Sequence, residues 1–301
     1  ALGEGKCGKI LYLTARNAGA LPPTDALNAI SRDVSALSYI ILTGKEKICP
    51  YQCECLPERC DRAAGHYDRV NAALEELTER GCVSREQVSA CAERHCVCPF
   101  ELALDYSYFA DVIVGDYNYV YDPKVRLARY FDGETVRGDY VFLTDEAHNL
   151  PDRARTMYTA EIRKSVFLEA SKAIRPLSRK VADTAGAVNR YLLEQRKLLE
   201  NEEEGELCRF MQDDPVLPLL ENFCNACKRF LEAVRNGTPE IPDAFWDAFF
   251  SANFYLRISE IFDRNFCFVR EKIKDDVRFV LFCADPSGVL DEVCKMAKAS
   301  V

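Results

Sequence analysis

Hydrophobic and polar positions change rhythm several times along the chain, and each change suggests an element. Lys9-Ile-Leu-Tyr-Leu-Thr14 is apolar and aromatic enough for a strand, which Ala15-Arg16-Asn17 closes. From Thr24 to Ser35 the spacing of Leu27, Ile30 and Val34 predicts a helix with Thr24 or Asp25 as its N-cap. Tyr39-Ile-Ile-Leu42 is a second short apolar run. A stretch of different character follows from Lys45 to about Leu104, within which Val70 to Arg80 reads as an amphipathic helix. Asp111-Val-Ile-Val114 and Tyr140-Val-Phe-Leu143 are continuous apolar runs, the pattern of strands buried on both faces of a parallel sheet.

After Pro151 the pattern is helical for over a hundred residues. Glu161 to Leu199 carries long stretches of 3.6-residue period, residues 201–206 make an acidic exposed tip, and Pro215–Val234 and Phe245–Phe262 add helices with aromatic faces. Arg278-Phe-Val-Leu-Phe282 returns to strand, and Asp285-Pro-Ser-Gly288 turns it into a last helix. No internal repeat is present. Strands at both ends and in the middle, interrupted by two segments of other character, predict an α/β parallel sheet with two insertions, one Cys-rich and one all-helical.

Composition sharpens this picture. With 48% hydrophobic and 29% charged residues the chain can bury a core, which excludes a disordered or low-complexity protein. The net charge of −9 gives no electrostatic reason to expect nucleic acid or an anionic membrane as partner. No apolar run approaches the ~20 residues that span a bilayer. The N-terminal residues have neither an initiator Met nor the order of a secretory signal. The chain reads as soluble and cytoplasmic, cut from something longer.

Cysteine changes the picture most. Of fifteen cysteines, eight fall between positions 49 and 98: Cys49, Cys53, Cys55, Cys60, Cys82, Cys91, Cys96 and Cys98. An odd total without an export signal argues against a disulfide framework, and a local cluster in a reducing compartment is better read as metal ligation. Cys7, Cys208, Cys267, Cys283 and Cys294 read as buried packing thiols, as do Cys82 and Cys91. Cys224 and Cys227 sit at helical spacing in an apolar segment and read as core. Zinc would want a C-x-x-C with a matching second pair, which the window lacks. His66 and His95 are left unassigned.

Asp145-Glu-Ala-His148 follows directly on the apolar run ending at Thr144. Ligands of open α/β sheets bind at the carboxyl ends of strands, where these side chains fall. An Asp there can hold Mg²⁺ against nucleotide phosphates, and the adjacent Glu can orient and deprotonate an attacking water. A phosphate loop is expected as partner, and Gly3-Glu-Gly-Lys-Cys-Gly-Lys9 fits G-x-x-x-x-G-K on paper. However, Ile10 stands where Ser or Thr would meet the metal, and the segment feeds a strand instead of a helix. It reads as a turn, so that a working phosphate loop is expected upstream, outside this chain.

The tetrad resembles the DEAH form of the Walker B motif of superfamily 2 helicases. Lys47-Ile-Cys49, Cys55-Leu-Pro-Glu-Arg-Cys60, Gly65-His-Tyr-Asp-Arg69 and Val97-Cys-Pro-Phe100 together resemble the iron–sulfur domain of XPD/DinG-type DNA helicases. Tyr12-Leu-Thr-Ala-Arg16 is similar to that family's motif Ia, and Asp111 to Asp122 to the segment after its cluster. The resemblance implies a RecA-like first lobe in 1–44, 106–160 and 276–301, an iron–sulfur domain in 45–105 and a helical arch in 161–275. It implies a [4Fe–4S] cluster on Cys49, Cys55, Cys60 and Cys98, with Cys53 and Cys96 as alternatives, and Mg²⁺ and ATP at Asp145. Glu146 would position water, His148 would couple the nucleotide to a facing lobe, and Thr14 and Arg16 would contact DNA. Tyr117, Tyr119 and Tyr121 could stack on bases or pack against the next helix.

The function implied is an ATP-dependent DNA helicase moving 5′ to 3′ on single-stranded or forked DNA in repair or replication. Lacking a Walker A motif and the second lobe, the 301 residues alone are expected to be inactive. The alternative is a non-enzymatic, metal-containing module that binds nucleic acid. A third possibility is a nucleotide hydrolase with a redox cluster, for which no feature calls.

Overall fold

The protein is described by a computed structural model covering residues 1–15, 21–33, 37–51, 55, 60–131, 138–199, 207–208, 215–234 and 240–301. Arg16, Cys53 and the acidic tip at 201–206 lie outside the described residues, as does the side chain of Cys208. In chain order the elements are β1 (Lys9–Thr14), α1 (Leu21–Asp33), β2 (Tyr39–Ile41), α2 (Lys45–Ile48), α3 (His66–Arg80), β3 (Cys82–Val83), α4 (Arg85–Arg94) and α5 (Pro99–Tyr106). They continue with β4 (Val112–Asp116), α6 (Asn118–Tyr121), α7 (Ala128–Phe131), β5 (Gly138–Thr144), α8 (Leu150–Met157), β6 (Ala160–Arg163), α9 (Lys164–Ile174) and α10 (Arg179–Leu198). The last are β7 (Leu207–Cys208), α11 (Val216–Ala233), α12 (Asp243–Glu260), β8 (Phe266–Ile273), β9 (Asp276–Cys283), α13 (Ser287–Cys294) and β10 (Ala297–Ser300).

The chain divides into two compact units, residues 1–150 with 289–301, and residues 151–288. In the first, six strands form a sheet in the order β10-β5-β1-β4-β2-β3, with every pairing parallel. The apolar runs account for this: strands covered on both faces need little alternation. Tyr39, Val112 and Val114 form a buried cluster that Ile10, Leu27 and Ile41 extend. Tyr121 and Phe131 pack edge-on against Phe142 of β5, with ring centroids 6.4 and 5.9 Å away. Helix α1 begins at Leu21, earlier than the expected cap at Thr24 or Asp25, because two prolines are tolerated in a first turn whose N–H groups have no helical acceptor.

Between β2 and β4 the chain builds the Cys-rich insertion from α2 to α5. Val70, Ala73 and Leu77 give α3 its buried face. Helix α4 opens with a capping box, in which Gln87 N–H donates to Ser84 Oγ (3.4 Å) and Ser84 N–H to Gln87 Oε1 (2.7 Å). Pro99 takes the first position of α5, and Lys9 Nζ caps its C-terminal end by donating to the carbonyls of Ser107 (2.9 Å) and Ala110.

The second unit departs from the all-helical expectation. Its helices α9 to α12 meet through contacts such as Phe167–Phe223 (5.5 Å between ring centroids) and Phe230–Phe245 (5.9 Å). Beside them lies an antiparallel sheet, β6-β9-β8-β7. Residues 160–163, expected to be helical, are the strand β6. Arg278–Phe282 is a strand as expected, but β9 pairs antiparallel with β6 and β8 and does not return to the parallel sheet. The returning strand is the shorter β10, whose Ala297 and Ser300 lie opposite Gly138 and Phe142 of β5. A strand's apolar pattern states that it is buried and leaves its partner open. No described helix is long and apolar enough to cross a membrane.

Candidate functional site

Three strand ends coincide at the carboxyl edge of the parallel sheet, where Leu13 lies opposite Thr144 and Thr14 opposite Asp116. The DEAH tetrad begins there. Asp145 N–H donates to the Leu13 carbonyl (2.9 Å) and its side chain is half-buried. Burial pushes the Tyr12 phenol up from its ordinary value, with the Asp145 carboxylate adding to the shift. Glu146 and His148 are exposed, the imidazole Nδ1 lying 3.2 Å from Glu146 Oε2. Glu146 adopts left-handed backbone angles (φ 51°, ψ 42°), costly for a residue with a Cβ. An Asp at the strand end with a turned-out Glu beside it suits a hydrated cation and an attacking water.

Tyr117 holds this turn from below. Its hydroxyl donates to the carbonyl of Asp145 and lies 3.0 Å from that of Glu146, while its N–H donates to the Thr14 carbonyl (3.1 Å). Tyr117 and Tyr121 are fully buried, so base stacking by these two is replaced by packing. Tyr119 is half-buried, its phenol pushed up to about 12 by burial and by Glu46 and Asp116. Thr14, expected to touch DNA, is 2% exposed, with Oγ1 3.5 Å from the Gly115 carbonyl. Its side chain is therefore not the part that would meet a phosphate. Lys9 of the Gly-Lys lookalike is the first residue of β1 and is engaged by the end of α5, consistent with the turn reading.

Within the insertion, Cys49, Cys55, Cys60 and Cys98 line one cavity of about 350 Å³, together with Lys45, Tyr51, Arg62, His66, Tyr67 and Glu101. Cys96 is exposed, has a positive φ of 52°, and its carbonyl accepts from Arg69 Nη2 (2.7 Å); it does not line the cavity. Cys98 is the N-cap of α5. Burial pushes its thiol up, and the nearby backbone N–H groups of Glu101 and Phe100 work against that shift. A hydrogen bond to Cys55 holds the Lys45 ammonium above its ordinary value, with Cys49 and Cys98 adding. Four thiols, a neighbouring cation and helix N–H donors round one space match the needs of a cysteine-ligated cluster.

A second convergence joins Glu76, Cys91 and His95, whose ligand atoms lie within 4.8 Å of one another. Its carboxylate is already engaged by Arg94, by Arg80 (3.1 Å) and by His95 Nε2 (3.0 Å), which hold it down at about 2. The group is an ion-pair clamp between α3 and α4, and Cys91 is a buried packing residue as expected.

Comparison with known proteins follows the same two features. The DEAD_2 family model matches residues 26–167. The chain is 30% identical over 106 residues to a regulator of telomere elongation helicase 1 homolog from Culex quinquefasciatus, covering 35% of this chain and 10% of that protein. It is 25% identical over 187 residues to the general transcription and DNA repair factor IIH helicase subunit XPD of Schizosaccharomyces pombe, covering 54% of this chain and 23% of that one. A solved structure described as truncated XPD superposes with a TM-score of 0.54 at 15% identity, covering 98% of this chain and 80% of that one. These matches support a likeness to the XPD-type superfamily 2 helicases. The chain's fold is RecA-like with insertions. It spans between about a tenth and a quarter of the length of these two curated relatives.

Two residues near the sites escaped the sequence reading. His66 carried a signal in its place six residues after Cys60, within Gly-His-Tyr-Asp-Arg, but a lone His has many uses. Tyr117 sat in an aromatic run that suggested stacking, and no local pattern shows that its hydroxyl reaches a turn 28 residues onward.

Proposed function

We propose that the protein containing this chain is an ATP-dependent DNA helicase that moves 5′ to 3′ along single-stranded DNA, in repair or replication. The strongest support is that four cysteines spread over positions 49 to 98 line one cavity in the compact unit that also carries the DEAH tetrad. Asp145 would hold Mg²⁺ on the nucleotide phosphates, Glu146 would orient and deprotonate water, and His148 would relay nucleotide state to a facing lobe. Cys49, Cys55, Cys60 and Cys98 would hold a [4Fe–4S] cluster. When bound, that group would serve as a structural staple for the insertion. Of the two residues expected at DNA phosphates, Arg16 is the one retained, Thr14 having its side chain buried. The name of the fission yeast relative, which speaks of transcription and DNA repair, supports the repair setting.

Two measurements test the reading. Anaerobically purified chain should be brown, with about four irons and four sulfides, both lost in Cys98→Ser. Tightly held zinc without iron would refute the cluster and favour the binding-module alternative. In the protein carrying these residues, Glu146→Gln should lower DNA-stimulated ATP hydrolysis by ~10²–10⁴-fold. Unchanged hydrolysis would refute the catalytic assignment.

A further inference from the structure

Among the polar side chains lining the cysteine cavity, His66 is a buried one that the proposed ligand set leaves without a task. It opens α3, is 3% exposed and lines the cysteine cavity. Its Nδ1 accepts the backbone N–H of Cys98 at 3.2 Å. An accepting Nδ1 places the ring proton on Nε2, which faces Asp105 Oδ2 at 3.6 Å. Asp105 Oδ1 in turn accepts from Arg129 Nη1 at 2.9 Å. Arg129 Nη2 also lies 3.6 Å from Glu101 Oε2.

The Cys98 N–H needs an acceptor. It belongs to the residue that caps α5, so it has no partner inside the helix, and Pro99 has no N–H to share the position. Without His66 a donor would be left unpaired beside a partly buried thiol. With it, the N–H of residue 98 is held by His66. The bond crosses 32 residues of chain and links the start of α3, just after Cys60, to the start of α5.

We propose that His66 is a positioning residue for the cluster: its imidazole, by accepting the Cys98 N–H, fixes the Cys98 backbone so that the sulfur is presented to the cavity. The inference rests on the reading that these cysteines hold a cluster. Outer-shell partners of this kind typically change metal affinity by ~10–100-fold.

The test uses the 301-residue chain itself, purified anaerobically, with iron and sulfide assayed and bleaching by excess EDTA followed in the visible range. His66→Leu keeps bulk and removes the acceptor; His66→Asn keeps an acceptor close to the Nδ1 position. The expected result is bleaching at least ~10-fold faster in His66→Leu, with His66→Asn within about threefold of wild type. Equal bleaching in His66→Leu and wild type overturns the proposal. So does ~10-fold faster loss in a His66→Asn chain whose far-UV circular dichroism is unchanged, which decides the matter even should His66→Leu fail to fold. Wild-type chain without iron and sulfide overturns the cluster reading itself, and the positioning role with it.

Discussion

Tyr117→Phe removes one oxygen and leaves the ring in place, so its effect isolates the bond to the DEAH turn. Tyr117 is fully buried, and its hydroxyl serves the carbonyls of Asp145 and Glu146. These carbonyls are only partly buried, so losing the hydroxyl costs about 0.5–1.5 kcal/mol, the worth of an ordinary hydrogen bond. The left-handed backbone at Glu146 costs a residue with a Cβ roughly 1–2 kcal/mol, so the hydroxyl bond and the strain it restrains are of similar size. The single tryptophan, Trp246, lies in the second unit and would report on the wrong part of the molecule. Amide hydrogen exchange of peptides spanning β5 and the tetrad is the suitable assay. Exchange there should rise roughly 2- to 13-fold in Tyr117→Phe, the equivalent of about 0.5–1.5 kcal/mol. In a Glu146→Gly background, where the left-handed turn carries little strain, the same substitution should cost less, with a coupling of about 0.5 kcal/mol or more. Unchanged exchange, or strictly additive effects, would show that Tyr117 does not restrain the turn.

Glu76 makes a prediction in pH. Its carboxyl is held at about 2 by Arg94, His95 and Arg80, below the ordinary value of 4.5, so the clamp's contribution is present above pH 4.5 and is lost as pH falls toward 2. The stability difference between wild type and Glu76→Gln, read from thermal melts, should therefore shrink across that window; a difference constant from pH 6 to 2 would contradict the pairing. Ser84→Ala removes one half of the capping box of α4 and should lower stability by about 1 kcal/mol in urea unfolding. No change in the midpoint would show that the bond at 3.4 Å is not formed in solution.

Much was legible because its signal is local. Continuous apolar runs announced β1, β2, β4 and β5 and their parallel character, since strands covered on both faces carry no alternation. The period of Val70 to Arg80 announced the amphipathic stretch of α3, though the structure starts the helix at His66. The DEAH tetrad needs only its position at the end of a strand to be read.

What remained lay in contacts between distant positions. Sequence named Cys98 and left Cys96 open; tertiary structure separates them, because capping α5 aims residue 98 at the cavity while the positive φ at 96 accompanies an exposed side chain. Thr14 looked available until β4 covered it, and Arg278–Phe282 looked like a returning strand until antiparallel partners claimed it. The reason is common to all three. Periodicity and residue type record how much of an element is buried, whereas partner, direction and the aim of a single side chain are settled by segments that meet only when the chain folds.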